Sequence, residues 1–167
     1  MKWNEFFAEQ LEREAAATRK SLERVPAEKP DWKPHEKSMP LGYLAQLVAT
    51  MPGWIATMVG SDELDLNPPG GAEKPPDTGT REKLLAAFDD SVARSVEALR
   101  GTRDAHLETK WRLLVGGTVV MEDSRRQMIA HTLMHFAHHR GQLTVYLRLN
   151  GAQVPAIYGP SADERVF

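Results

Sequence analysis

Apolar residues recur every three or four positions over four stretches of the chain. From Asn4 to about Arg24, Phe7, Leu11, Ala15, Thr18 and Leu22 alternate with Glu, Arg and Lys in the pattern of an amphipathic helix, with Asn4 as its N-cap. A second helix, capped by Ser38, runs through "MPLGYLAQLVATMPGWIATMVG". There Leu44, Leu47, Met51, Trp54 and Met58 share a narrow arc, and Pro52 kinks the helix. A third starts at Thr80 and carries Leu84, Leu85, Phe88, Val92, Val96 and Leu99 up to a C-cap at Gly101. The last runs from about 124, capped by Asp123 or Ser124, to 149, and ends at Asn150 and Gly151.

What lies between these helices lacks the helical period. "VPAEKPDWKPHEKSMP" and "DLNPPGGAEKPPDTG" carry four prolines each and read as connectors. "HLETKWRLLVGGTVVME" holds Gly116 and Gly117 between two apolar runs, which suits a short hairpin or an extended crossing. The tail "VPAIYGPSADERVF" is expected on the surface, and no internal repeat is evident. The pattern therefore predicts one domain over residues 1–167, an all-α four-helix bundle with a short extended segment before the last helix.

Composition narrows the function. At 167 residues the chain is long enough to bury a core without cross-links. Lys and Arg number 21 against 23 Asp and Glu, and a net charge of −2 offers no footprint for nucleic acid or an acidic membrane. There is no cysteine, so metal ligands must be His, Asp or Glu and any thiol chemistry must borrow its thiol. Charges interrupt the apolar residues of "MKWNEFFAEQLERE", and no stretch reaches membrane-spanning length. A cytoplasmic protein with no membrane partner is expected.

The candidate chemistry sits in "HTLMHFAHHRGQL". With His135 taken as zero, His131 lies at about −40°, His139 at about +40° and Gln142 at about −20° on the last helix. Arg126, Arg140, Thr144 and Arg148 fall on the opposite arc, which is therefore expected to face solvent. Imidazoles at i and i+4 converge on one ion, but two ligands are half a site, and the third has to come from another helix. The competing reading is a pair of hydrogen-bonded core histidines. His35 and His106 read as loop residues, and His138 as a flank of His139.

At this point the chain resembles the DinB/YfiT-like metalloenzymes. "HFAHHRGQLTVYLRLN" looks like their signature, and the likeness includes "LERVPAEKPDWKPHEKSMPLGYLAQLVATMPGW" and "VPAIYGPSADE". The resemblance implies a bundle, often a homodimer, that holds nickel or zinc with three histidines. Two of these map by motif onto His135 and His139. The third belongs to a stretch that reads like L-A-x-H-V-A in relatives and "LAQLVA" here, so Leu47 stands where the third ligand is expected. Gln46 is turned about 100° from that seam. Losing a ligand outright weakens binding by more than the roughly 10- to 100-fold cost of changing the groups behind one. Gln142, Asp163, Glu164 and water are the candidate replacements, while the Met51 thioether suits nickel or zinc poorly.

Two functions follow. One is a metal-dependent transferase or hydrolase working with a low-molecular-weight thiol, in which His135 and His139 hold an ion that acts as Lewis acid. The other is a degenerate, metal-free bundle serving as a binding or interaction module, with Leu133 and Ala137 available for a dimer seam. A DNA-binding role has no support in the charge, and Arg125 and Arg126 read as a pair on the helix face.

Overall fold

The computed structural model describes residues 2–71 and 74–165, so residues 72–73 of the second connector and the last two of the tail lie outside it. Its elements in order are α1 (Trp3–Leu22), α2 (Leu41–Thr50), α3 (Gly53–Gly60), β1 (Glu63–Asp65), α4 (Arg81–Gly101), α5 (Asp104–Leu107), β2 (Lys110–Val115), β3 (Thr118–Ser124) and α6 (Arg125–Leu149). The expected all-α four-helix bundle is thereby corrected to a mixed α/β fold. Among the described residues, six helices accompany a three-stranded sheet of order β1-β2-β3, in which β1 runs parallel to β2 and β2 antiparallel to β3.

The sheet has physical reasons that helix periodicity cannot carry. In β2, Trp111 and Leu114 are buried, Lys110, Arg112 and Val115 are exposed and Leu113 is half-buried, and a register shift between Leu113 and Leu114 breaks strict alternation. Gly116 (φ 59°) and Gly117 (φ 78°) take the left-handed backbone that a two-residue turn between twisted strands demands. Asp65 fastens that turn from β1: its carboxylate accepts from the N–H groups of Asn67, Gly116 and Gly117 at 2.7–2.9 Å. These bonds favour the ionised form and hold its pKa below the usual carboxylate value.

Helix ends follow local chemistry, with several departures from expectation. Thr80 and Ser124 accept from Lys83 N and Gln127 N as N-caps of α4 and α6. Gly151 (φ 76°) closes α6 in a Schellman arrangement, with Ala152 N donating to Leu147 O at 3.0 Å and Gly151 N to Arg148 O at 3.1 Å. Asn4 lies inside α1, where its amide donates to Leu99 O and Thr102 O at 3.2 Å, and Lys2 occupies the cap position. Pro40, not Ser38, precedes α2. Pro52 breaks the second helical stretch into α2 and α3, because it has no N–H to continue the ladder.

That break lets the two halves serve two cores. Leu41, Leu44, Val48 and Met51 pack with Leu22, Phe88, Phe136, Leu143 and Leu147. Ile55 and Met58 pack instead with Phe7, Leu11, Leu99, Trp111, Met128 and Ile129, where the sheet meets the helices. Full burial of each such side chain contributes about 1.5–3 kcal/mol. No helix among the described residues is long and apolar enough to cross a membrane.

Two arginines of α6 depart from expectation: Arg140 lies on the arc expected to face solvent, and Arg125 was read as one of a pair on the helix face, yet both are buried. Arg125 is buried and fans out: Nε donates to Met58 O at 2.8 Å, Nη1 to Thr109 Oγ1 and Lys110 O, and Nη2 to Ser61 O and Asp62 Oδ1. It thereby ties the end of α3, the approach to β1 and the start of β2 to α6. Arg140, equally buried, pairs with Glu14 at 2.5 Å and donates to Thr18 Oγ1 and to the Tyr158 hydroxyl. Tyr158 in turn donates to Glu14 Oε2 at 2.8 Å, so the tail is strapped to α1 and α6 through one charged cluster.

Candidate functional site

α6 brings together the histidines singled out from the sequence. The His135 and His139 rings are 4.6 Å apart between centroids, and their Nε2 atoms 2.8 Å apart. His139 is buried, with 8% of its surface exposed, and His135 is half-buried against Trp54 at 6.0 Å. His131, exposed, lies 5.9 Å from the His135 ring, and His138, also exposed, 5.1 Å from that of His139.

The proton positions follow from the partner at the far end. Gln142 Oε1 lies 2.7 Å from His139 Nδ1, and an amide oxygen only accepts, so His139 carries its proton on Nδ1 and presents a lone pair at Nε2. His135 Nε2 is then the donor of the 2.8 Å bond, which leaves His135 Nδ1 as the acceptor. Burial, followed by the proximity of His139, His131 and His138, pushes the His135 pKa below the usual imidazole value. The pair thus forms a hydrogen-bonded relay, and coordination of one ion by both Nε2 atoms requires His135 to move its proton to Nδ1.

The remaining candidates for a third ligand are engaged elsewhere. Leu47 is half-buried and packs on the α2 side of the core, so the position matching the family histidine presents only methyl groups. Gln46 points away and donates to Pro76 O at 2.9 Å. Asp163 is paired with Arg148 at 2.6 Å, Glu164 with Arg24, and Met51 is fully buried. Among the described residues no three His, Cys, Asp or Glu side chains come together as a metal site. The residues present do not fit a three-histidine centre.

Beside the histidines lies a feature that the sequence did not disclose. A partly open pocket of about 250 Å³ lies between α3, β1, the strands β2 and β3, and α6, with Leu66, Met121 and His131 of its lining exposed to solvent. Its walls are Trp54, Met58, Leu64, Leu66, Trp111, Leu113, Met121 and Met128, and it is closed on the α6 side by His131, Thr132 and His135. The lining is apolar except at that end, and it includes no Asp, Glu, Lys or Arg. Its residues come from five elements, so no local pattern announces it. The nearest signal is Trp111 followed by Leu113 and Leu114 in a stretch without helical period.

The fold and the site define a mixed α/β protein with a histidine pair on its last helix. The sequence profile of the DinB family matches residues 1–165, and the chain belongs to that family. Among solved structures it is similar to a DinB-like protein from Bacillus cereus ATCC 10987 (TM-score 0.70, 23% identity, 92% of this chain and 97% of that one). It is also similar to the DinB-like protein YjoA of Bacillus subtilis (TM-score 0.69, 19% identity, 89% and 95%). These likenesses speak for the fold. A segment of 37 residues is 46% identical to the uncharacterized protein YrdA of Bacillus subtilis strain 168 and spans 22% of each chain.

Proposed function

We propose that this DinB-family chain is a metal-free binding protein that takes a small, predominantly apolar molecule into the cavity between the sheet and α6. The observation that carries the reading is the cavity itself: about 250 Å³ of apolar space that ends on two imidazoles. Such a site gains its affinity from removing apolar surface from water, and the few polar atoms at one end orient the guest.

A second reading has an observation of its own. The convergent Nε2 atoms of His135 and His139 favour a metal-dependent transferase or hydrolase, served by nickel or zinc and a low-molecular-weight thiol. Leu47 speaks against it, because it leaves the histidine pair without a third ligand. A cytoplasmic homodimer without nucleic-acid or membrane partners completes the proposal, with sedimentation as the check on assembly.

The test is titration of the 15N-labelled protein with isopropylbenzene, followed by NMR. The reading expects saturable binding that moves the indole signals of Trp54 and Trp111 and leaves Trp3 and Trp32 in place. A Leu113→Trp variant, which fills the cavity, is expected to abolish it. Absence of saturable binding, or shifts confined to other surfaces, overturns the reading.

A further inference from the structure

An open groove of about 600 Å³ runs between α3, α4 and the segment 74–76, and among the described residues it shares only Trp54 with the apolar pocket. The segment is fastened on both sides, since Gln46 donates to Pro76 O at 2.9 Å and Lys83 pairs with Asp77 at 2.5 Å. Ser91 of α4 lines the groove and is 4% exposed, and its hydroxyl makes no hydrogen bond among the described residues. A buried hydroxyl without a partner is uncommon, because it gives up water and gains nothing in return. Ser95, one turn further on, shows the usual outcome: it donates to Pro52 O at 2.7 Å and accepts from Ala56 N at 3.2 Å. The buried side-chain polar atoms that lack a partner and are also sealed from solvent are Arg24 Nη1 and Trp111 Nε1. The Ser91 oxygen is not among them, so it keeps accessible surface in the groove.

Arg94 stands beside that oxygen. Its Nη2 and Ser91 Oγ each lie 3.3 Å from the point where a side chain on Gly53 would begin, so the two donors flank one spot. Asp90 accepts from Arg94 Nε at 2.8 Å, and the two Nη nitrogens have no acceptor among the described residues. A guanidinium presents its N–H groups as a planar fork that matches a carboxylate, so the Nη side remains for a guest. Asp90 limits the charge of that guest. Its carboxylate repels a dianion, whereas a monoanion with two oxygens accepts from the Nη fork and from the Ser91 hydroxyl together. Trp54, Pro75, Pro76 and Ala87 supply apolar surface along the groove, and Lys74 adds a second positive charge.

We infer that this groove binds a small monocarboxylate with an apolar body, its carboxylate bridging the Arg94 guanidinium and the Ser91 hydroxyl. The site is additional to the apolar pocket and does not depend on the binding function proposed for it. The pocket has no Asp, Glu, Lys or Arg in its lining and suits a neutral guest, whereas the groove selects an anion.

The experiment titrates the 15N-labelled protein with phenylacetate and with phenylacetamide, a neutral probe of nearly the same shape. Saturable phenylacetate binding is expected to move the backbone amide signals of Gly53, Ser91 and Arg94 and to leave the Trp111 indole signal in place. Phenylacetate is expected to bind at least about fivefold more tightly than phenylacetamide. That preference is expected to vanish in Arg94→Gln, and Ser91→Ala is expected to weaken phenylacetate about five- to tenfold. Arg94 is exposed, so its replacement keeps the fold and remains a readout even if Ser91→Ala disturbs the packing of α4. Absence of saturable binding, equal affinity for the two probes, a preference that survives Arg94→Gln, or shifts gathered around Trp111 overturn the inference. So does a folded Ser91→Ala that binds phenylacetate as the wild type does. The apolar pocket stands or falls separately, with the isopropylbenzene titration.

Discussion

His135 donates its Nε2 proton to His139 Nε2 across 2.8 Å, and Gln142 fixes the direction of that bond by accepting from the opposite nitrogen of His139. The amide is therefore expected to set the tautomer of the whole relay. In Gln142→Leu the Nδ1–H of His139 loses its acceptor, and the two rings are expected to exchange between tautomers. Long-range 1H–15N spectra of the imidazoles read this directly: one set of nitrogen shifts in the wild type and averaged shifts in the variant. Identical spectra for the two proteins would show that Gln142 does not orient the pair.

The pH dependence of stability follows from His135. Burial and its neighbouring histidines hold its folded-state pKa below the unfolded value of about 6.5. The unfolded chain then binds more protons as pH falls, so the native state loses stability from about pH 6.5 downward, until the folded-state pKa is passed. Urea midpoints are expected to drop between pH 7 and pH 5, and His135→Phe is expected to flatten that part of the curve. The lowered carboxylates Asp65, Asp163 and Glu164 act further down, below about pH 4, and separate from it.

Arg140 is expected to be among the costlier side chains to remove. Its guanidinium is buried between Phe136 and Tyr158, at 6.0 and 5.0 Å from the ring centroids, and Glu14 beside it is mostly buried. Arg140→Met leaves that carboxylate without its partner, which costs about 3 kcal/mol or more. Arg148→Met breaks a pair with Asp163 at the surface and is expected to cost less than about 1 kcal/mol. Chemical denaturation of the two variants side by side checks the contrast, and loss of the tail's protection in hydrogen exchange is expected for Arg140→Met alone.

Arg125→Leu is expected to destabilise by about 3 kcal/mol, because the carbonyls of Met58, Ser61 and Lys110 lose a shared charged donor. Met58 lines the cavity, and β1 and β2 form its wall, so ligand affinity is expected to fall as well. Arg125→Lys is expected not to rescue either property, since one ammonium cannot replace a planar fork that serves five acceptors. Denaturation and isopropylbenzene titration of both variants measure the two effects.

Some of this was legible in the sequence and some was not. α1, α4 and α6 are each at least 20 residues long and keep an apolar stripe, so their periodicity stands clear. β1 has three residues, too few for any period, and β2 changes register within itself. The histidine pair was visible from its i, i+4 spacing. The roles of Arg125 and Arg140 were not, because a two-faced description of α6 assumes one wet side. α6 packs against α1, α2, α3 and the sheet, and its inward guanidiniums are satisfied by carbonyls and by the carboxylates of Asp62 and Glu14, which lie far away in sequence. The cavity was hidden for the same reason, with walls drawn from residues 54 to 135.

Leu47 and the histidine pair together decide whether the chain works with a metal. Elemental mass spectrometry after incubation with nickel or zinc and desalting, on the wild type and on Leu47→His, is the most direct test. The wild type is expected to retain far less than one equivalent, while Leu47→His, with a third imidazole, is expected to retain about one. Stoichiometric metal on the wild type, lost in His135→Ala and His139→Ala, would contradict the metal-free reading and return the site to metal-dependent chemistry.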